Sequence, residues 1–153
     1  MIYVSVLEPF QKLVDEITLT TAARSVLNHQ QLNPDHIDLS VVVTDDASIQ
    51  DLNRDYRKTD APTDVLSFNL NEKDPETGLL YLGDVIISFQ RAQEQAAKAG
   101  HSVIAEIELL TVHGVLHLLG FDHAEKEDKE KMWKAQQEIL VLLNVSVNQW
   151  PED

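Results

Sequence analysis

The sequence predicts an α+β (α/β) fold: a single domain over residues 1–153, with a small mixed four-stranded sheet packed with about five helices. Three observations carry this reading. Short β-branched runs alternate with stretches of helical periodicity. The composition, 43% apolar and 25% charged, is that of a globular chain able to bury a core without disulfides. No internal repeat, low-complexity tract or linker-like stretch divides the 153 residues.

Ile2, Val4 and Val6 alternate with Tyr3 and Ser5, which predicts a strand ending near Pro9. Phe10, Leu13, Val14 and Ile17 follow helical spacing, so an amphipathic helix is expected from there until Asn33-Pro34. Ile37 to Val43 is too short and too β-branched for a good helix and reads as a second strand. Thr44 and Asp45 supply capping chemistry for a short helix from Asp46 to Tyr56. Pro62 closes that segment, and a third strand is expected from Asp64 to Phe68.

The stretch from Asn69 to Gly78 carries five acidic or amide side chains and the pair Asp74-Pro75, the composition of a solvated loop. Tyr81 to Phe89 reads as the fourth strand, and Gln90 to Lys98 as a helix stopped by Gly100. From Ser102 to Leu119 the pattern is apolar nearly all round, which predicts a central, buried helix. Beyond Gly120 comes a segment of mixed charge, Ala124 to Lys131. Met132, Trp133, Gln136, Ile139, Leu140 and Leu143 then space a last amphipathic helix.

Twelve Lys and Arg against 26 Asp and Glu give a formal charge of −14, which excludes a basic nucleic-acid binder held by its overall field. The absence of cysteine excludes a disulfide framework, a thiolate nucleophile and thiolate metal sites, leaving imidazole and carboxylate as the strong ligands. No apolar run is long enough to span a membrane, and the first residues lack the pattern of a signal peptide, so a cytoplasmic protein without membrane partners is expected.

The informative stretch is His113-Gly114-Val115-Leu116-His117-Leu118-Leu119-Gly120-Phe121-Asp122-His123. Four apart on a helix, His113 and His117 project from one face toward a common point. Gly120 can end the helix in a left-handed turn, and the returning chain then offers His123 as a third nitrogen. Three imidazoles with no fourth protein ligand leave a zinc ion one open position, the layout of a catalytic site. Against this stands the reading of the three as satisfied core histidines.

Gly114 occupies the position where zinc proteases of the HExxHxxGxxH type carry a glutamate base, so peptide hydrolysis by that route loses its base. A helix-interior glycine costs about 1 kcal/mol relative to alanine, which points either to space needed at the site or to close packing. Asp122 has two readings: it orients His117 or His123, or it forms a capping box with Glu125. His29, His36 and His101 read as surface or capping residues. Glu106 reads as a solvated or paired carboxylate, or as a distant acceptor behind the site.

The motif HGVLHLLGFDH, with LNRDYRKTDAPTDVLSF upstream and the strand YLGDVIIS, resembles the YbeY family of rRNA-maturation endoribonucleases over most of the chain. The resemblance implies metal binding by His113, His117 and His123, with one zinc per chain, and a catalytic or RNA-contacting role for Arg57. It further implies single-strand-specific cleavage in 16S rRNA 3′-end maturation and ribosome quality control, with rRNA, the ribosome and ribosomal proteins as partners and no DNA. A guanidinium fits the charge that builds on phosphodiester oxygens during cleavage. Taken alone, Arg57 reads as a surface ion pair with Asp55 or Asp60, and its neighbours Arg54 and Lys58 as a solvated face. Ser67 either presents a hydroxyl near the cleft or is a buried, bonded serine.

Two routes stay open for the chemistry, attack by an activated water or by the ribose 2′-hydroxyl. Other functions remain in view: a metal-dependent hydrolase of another substrate, peptides included, or a non-enzymatic ribosome assembly factor with structural zinc. The charge of −14 implies weak intrinsic RNA binding, aided by a local cation at Arg57 or by a ribosomal partner.

Overall fold

The computed structural model describes residues 1–147; the expected domain extends past them to 153. Its four-stranded sheet has the order β1-β2-β4-β3, from β1 (Ile2–Val6), β2 (Ile37–Thr44), β3 (Val65–Lys73) and β4 (Leu80–Ser88). β1, β2 and β4 run parallel, and β3 closes the far edge antiparallel to β4. The five helices are α1 (Glu16–His29), α2 (Asp46–Arg57), α3 (Phe89–Ala99), α4 (Val103–Leu118) and α5 (Lys126–Leu142). The expected mixed sheet and helix number are both present.

α4 packs against the sheet at β3 and β4 and is flanked by α1, α3 and α5. Its apolar residues on all sides, among them Ile107, Leu109, Leu110, Val112, Val115 and Leu116, are fully buried in the main core. On the opposite sheet face α2 packs over a small cluster of Ile49, Leu66 and Ile86. One face of the sheet is therefore thick with helix and the other thin.

Most element ends lie within a few residues of the sequence expectation, and three boundaries differ in an informative way. Phe10, Leu13 and Val14 precede α1, because Asp15 caps it by accepting the backbone N–H of Ile17 at 3.0 Å; Glu8–Phe10 forms a short 3-10 turn instead. Phe10 stacks on Phe89, with ring centroids 4.5 Å apart. β3 runs on to Lys73 through part of the expected loop, with a register shift between Asn69 and Glu72 where Asn71 takes φ 50°. Polar composition marks an exposed edge strand here as readily as a loop, and asparagine tolerates that backbone conformation. α5 starts at Lys126, so much of the mixed-charge segment forms its exposed first turns.

Candidate metal centre and cleft

The site is built at the C-terminal end of α4. The helix stops in a Schellman turn: Phe121 N–H donates to Leu116 O at 3.1 Å and Gly120 N–H to His117 O at 3.0 Å, with Gly120 at φ 97°. This reversal carries His123 back over the last helical turn. Ligand nitrogens of His113, His117 and His123 lie within 4.8 Å of one another, His113 fully buried and the other two half-buried.

The hydrogen bonds settle which ring nitrogens face inward. His117 Nδ1 lies 2.9 Å from Phe121 O, which only accepts, so the Nδ1 carries the proton and Nε2 a lone pair. Gln136 Oε1, on α5, takes the Nδ1–H of His113 at 2.6 Å. The two Nε2 atoms lie 3.1 Å apart, and His123 stands beside them. Nitrogens on one tetrahedral ion, each at about 2.0–2.1 Å, sit about 3.4 Å apart, so the donor set fits a metal ion.

The cleft in front of these rings has a volume of about 340 Å³ and is lined by Arg57, Ser67, Asn69 and Asp122 as well as the histidines. Arg57, the last residue of α2, does not pair with Asp55 or Asp60. Its Nη2 donates to Ser67 O at 2.5 Å, and its guanidinium carbon lies 5.5 Å from the Phe68 ring centroid. Arg54 forms the local pairs instead, at 3.1 Å to Asp51 and 3.2 Å to Asp55. Lys58 ends α2 in the left-handed conformation and lies outside the cleft lining.

Ser67 lines the cleft and is half-buried rather than buried, and its Oγ donates to Gly114 O at 3.1 Å. A Cβ on Gly114 would lie 2.5 Å from Val85 Cγ1, so close packing of α4 on β4 accounts for this glycine. Asp122 accepts the backbone N–H of His123 at 2.7 Å and lines the cleft. The capping box is not formed: Glu125 itself is the N-cap of α5 and makes no side-chain cap bond.

His101 is no surface residue. Its side chain is 5% exposed and bonds Glu106 at 2.6 Å, on the far side of α4 from the cluster in sequence. Burial pushes the Glu106 carboxyl up, and the hydrogen bond from His101 pulls it partly back. His29 is tied to Glu138 at 2.7 Å and so links α1 to α5.

Two contributors escape sequence reasoning. Gln136 was legible only as one position of an apolar stripe, and a fully buried amide there is the signal that it serves a polar partner. Asn69 Nδ2 donates to His117 O at 3.1 Å and Leu118 O at 3.2 Å, binding edge strand β3 to the end of α4. Nothing in the sequence marks it, because its partners are backbone carbonyls.

A mixed sheet carrying three convergent imidazoles at the mouth of a cleft, faced by a guanidinium, is the layout of an α+β hydrolase with a candidate metal centre. Residues 7–144 match the sequence model of the family described as Endoribonuclease YbeY. An Endoribonuclease YbeY of Pelotomaculum thermopropionicum is 47% identical over 131 residues, covering 84% of this chain and 86% of that protein. Another, of Halalkalibacterium halodurans, is 43% identical over 147 residues, covering 91% and 89%. The chain belongs to the YbeY family. A Thermotoga maritima protein solved in solution has a similar fold, with a TM-score of 0.59 at 26% identity over 94% of this chain and 92% of that one.

Among the described residues, no helix is long and apolar enough to cross a membrane.

Proposed function

We propose that residues 1–153 form a zinc-dependent endoribonuclease domain that cleaves single-stranded RNA, acting in 16S rRNA 3′-end maturation and ribosome quality control in the cytoplasm. One observation carries the reading: two Nε2 lone pairs 3.1 Å apart, with His123 beside them, open onto the cleft that Arg57 lines. Family membership supports RNA as the substrate.

His113, His117 and His123 would hold the ion, which when bound supplies Lewis acidity to the phosphodiester. The chain's own residues do the positioning. Gln136 and Phe121 O fix the ring tautomers, so both imidazoles present Nε2 inward. Arg57 places a planar cation for the non-bridging oxygens, where charge builds during cleavage. Its bond to Ser67 O holds the guanidinium at the cleft wall. Asn69 keeps that wall joined to the ligand-bearing helix.

The test uses untagged protein, a short single-stranded substrate resembling the 3′ end of 16S rRNA, and a metal assay. Cleavage by zinc-loaded protein, lost in His113→Ala with His117→Ala, is expected. Bound zinc without cleavage would turn the reading to an assembly factor with structural zinc, and cleavage of peptides instead of RNA would turn it to another hydrolase. A 2′,3′-cyclic phosphate product identifies attack by the ribose hydroxyl; a linear monophosphate end fits attack by water.

A further inference from the structure

A second groove shares a wall with the cleft. It has a volume of about 480 Å³, within the range that holds a small ligand, and lies on the thinly covered sheet face between α2 and strands β3 and β4. Arg57, Ser67 and Asn69 line both hollows, so whatever occupies one abuts the other. The groove's own lining includes Tyr56, Phe68, Leu70 and Asp84.

We propose that this groove is a stacking subsite for one unpaired nucleobase of a single-stranded RNA, next to the phosphate position at Arg57; the proposal rests on the RNA-cleaving reading above. Tyr56, 70% exposed, and Leu70, 44% exposed, both line this groove and give it a solvent-facing apolar wall. The Tyr56 and Phe68 rings form a T-shaped pair, with centroids 5.6 Å apart and planes at 68°, and Tyr56 remains largely exposed to solvent. Bases stack on such rings whatever their sequence.

The polar groups order the two ends of the nucleotide. Asp84 is oriented by Tyr81, whose Oη donates to Asp84 Oδ1 at 2.5 Å and lies 2.6 Å from Ser40 Oγ. Among the described residues the other carboxylate oxygen has no hydrogen-bond partner. A carboxylate repels phosphate and accepts from an amino group, so it selects the base end and favours cytosine, adenine or guanine over uracil. Arg57, stacked over Phe68 at 5.5 Å and lying on the shared wall, takes the phosphate. A nucleotide thus has its base on the Tyr56 side and its phosphate toward the histidines.

The experiment measures binding of fluorescein-labelled ten-residue oligocytidylate and oligouridylate by anisotropy at physiological ionic strength, where the chain's long-range negative field is screened, and cleavage in parallel. Wild type should bind the cytidylate more tightly. Tyr56→Ala should weaken cytidylate binding about tenfold and raise KM with kcat unchanged, whereas Tyr56→Phe retains both. Asp84→Asn should narrow the preference between the two oligomers. Binding of cytidylate by Tyr56→Ala equal to wild type, or no binding by wild type at all, overturns the subsite. A dimer abolished by Tyr56→Ala in the absence of RNA overturns it too and assigns the groove to a second copy of the chain. Binding is read independently of cleavage: RNA bound in the Tyr56-dependent manner but never cut keeps the subsite and removes the nuclease reading. RNA cut with no effect of Tyr56→Ala does the reverse.

Discussion

Gln136 Oε1 and His113 Nδ1 meet at 2.6 Å where α5 crosses α4, with both side chains fully buried. Among the described residues the amide nitrogen of Gln136 has no hydrogen-bond partner, so the residue sits in the core at a cost that its bond to His113 must justify. Gln136→Leu is expected to lower zinc affinity about 10–100-fold in a chelator competition, the usual effect of losing the group behind a ligating histidine. Gln136→Glu, which keeps an acceptor, should lose much less.

Metal content should follow the histidines. Elemental analysis of untagged protein is expected to give about one zinc per chain in wild type and none in the His113→Ala, His117→Ala double variant. Because the ligands must be deprotonated at the coordinating nitrogen, zinc affinity measured in a chelator competition should fall steadily as the solution is made more acid. An affinity independent of pH would mean ligands other than imidazole.

Arg57→Ala should reduce cleavage about 10²–10³-fold with zinc content unchanged, the scale of removing one group aimed at transition-state charge. Arg57→Lys should recover only part of it, since an ammonium lacks the fork that bonds Ser67 O while facing a phosphate. Unchanged cleavage in Arg57→Ala would remove Arg57 from the chemistry, and full cleavage in Arg57→Lys would mean that a cation suffices without the fork.

Gly114→Ala forces a methyl to 2.5 Å from Val85, itself fully buried. We expect about 1–3 kcal/mol of destabilisation in urea unfolding, despite alanine's better helix propensity. Val85→Ala in the same chain should return part of that loss, a coupling that a double-mutant cycle detects.

Asp45 caps α2 by accepting the backbone N–H of Ser48 at 2.8 Å, which holds its carboxyl below the ordinary range. A depressed acid contributes stability that is complete above its unfolded pKa of about 3.9 and is lost as pH falls through the lower folded value. Asp45→Asn keeps a capping oxygen, so thermal unfolding at neutral pH should change little, while the acid-side fall in stability becomes shallower. Asp45→Ala should lower stability at neutral pH by about 1 kcal/mol.

Much of this was legible from local chemistry. The β-branched runs placed β1, β2 and β4, and the spacing of His113 and His117 with a glycine to reverse the chain placed the histidine cluster. What was not legible depends on partners distant in sequence. Arg57 read as a surface ion pair until β3 brought Ser67 O within its reach. Gln136 lies 23 residues from the ring it serves. His101 looked exposed at a helix end, yet α4 buries it against Glu106. The polar tail of β3 was hidden because an edge strand open to water is free to adopt the composition of a loop.

Arg57 is the one Lys or Arg among the described residues lining the cleft of a chain with formal charge −14. A polyanion approaching from afar meets a repulsive field and finds attraction only at the last contact. Dissolved ions screen the first effect sooner than the second, because the Debye length shrinks to about 8 Å at physiological ionic strength while the contact distance is shorter still. Encounter with RNA should therefore quicken as ionic strength rises from very low values, the opposite of a cationic nuclease, because salt lifts the distant barrier before it weakens the short-range grip.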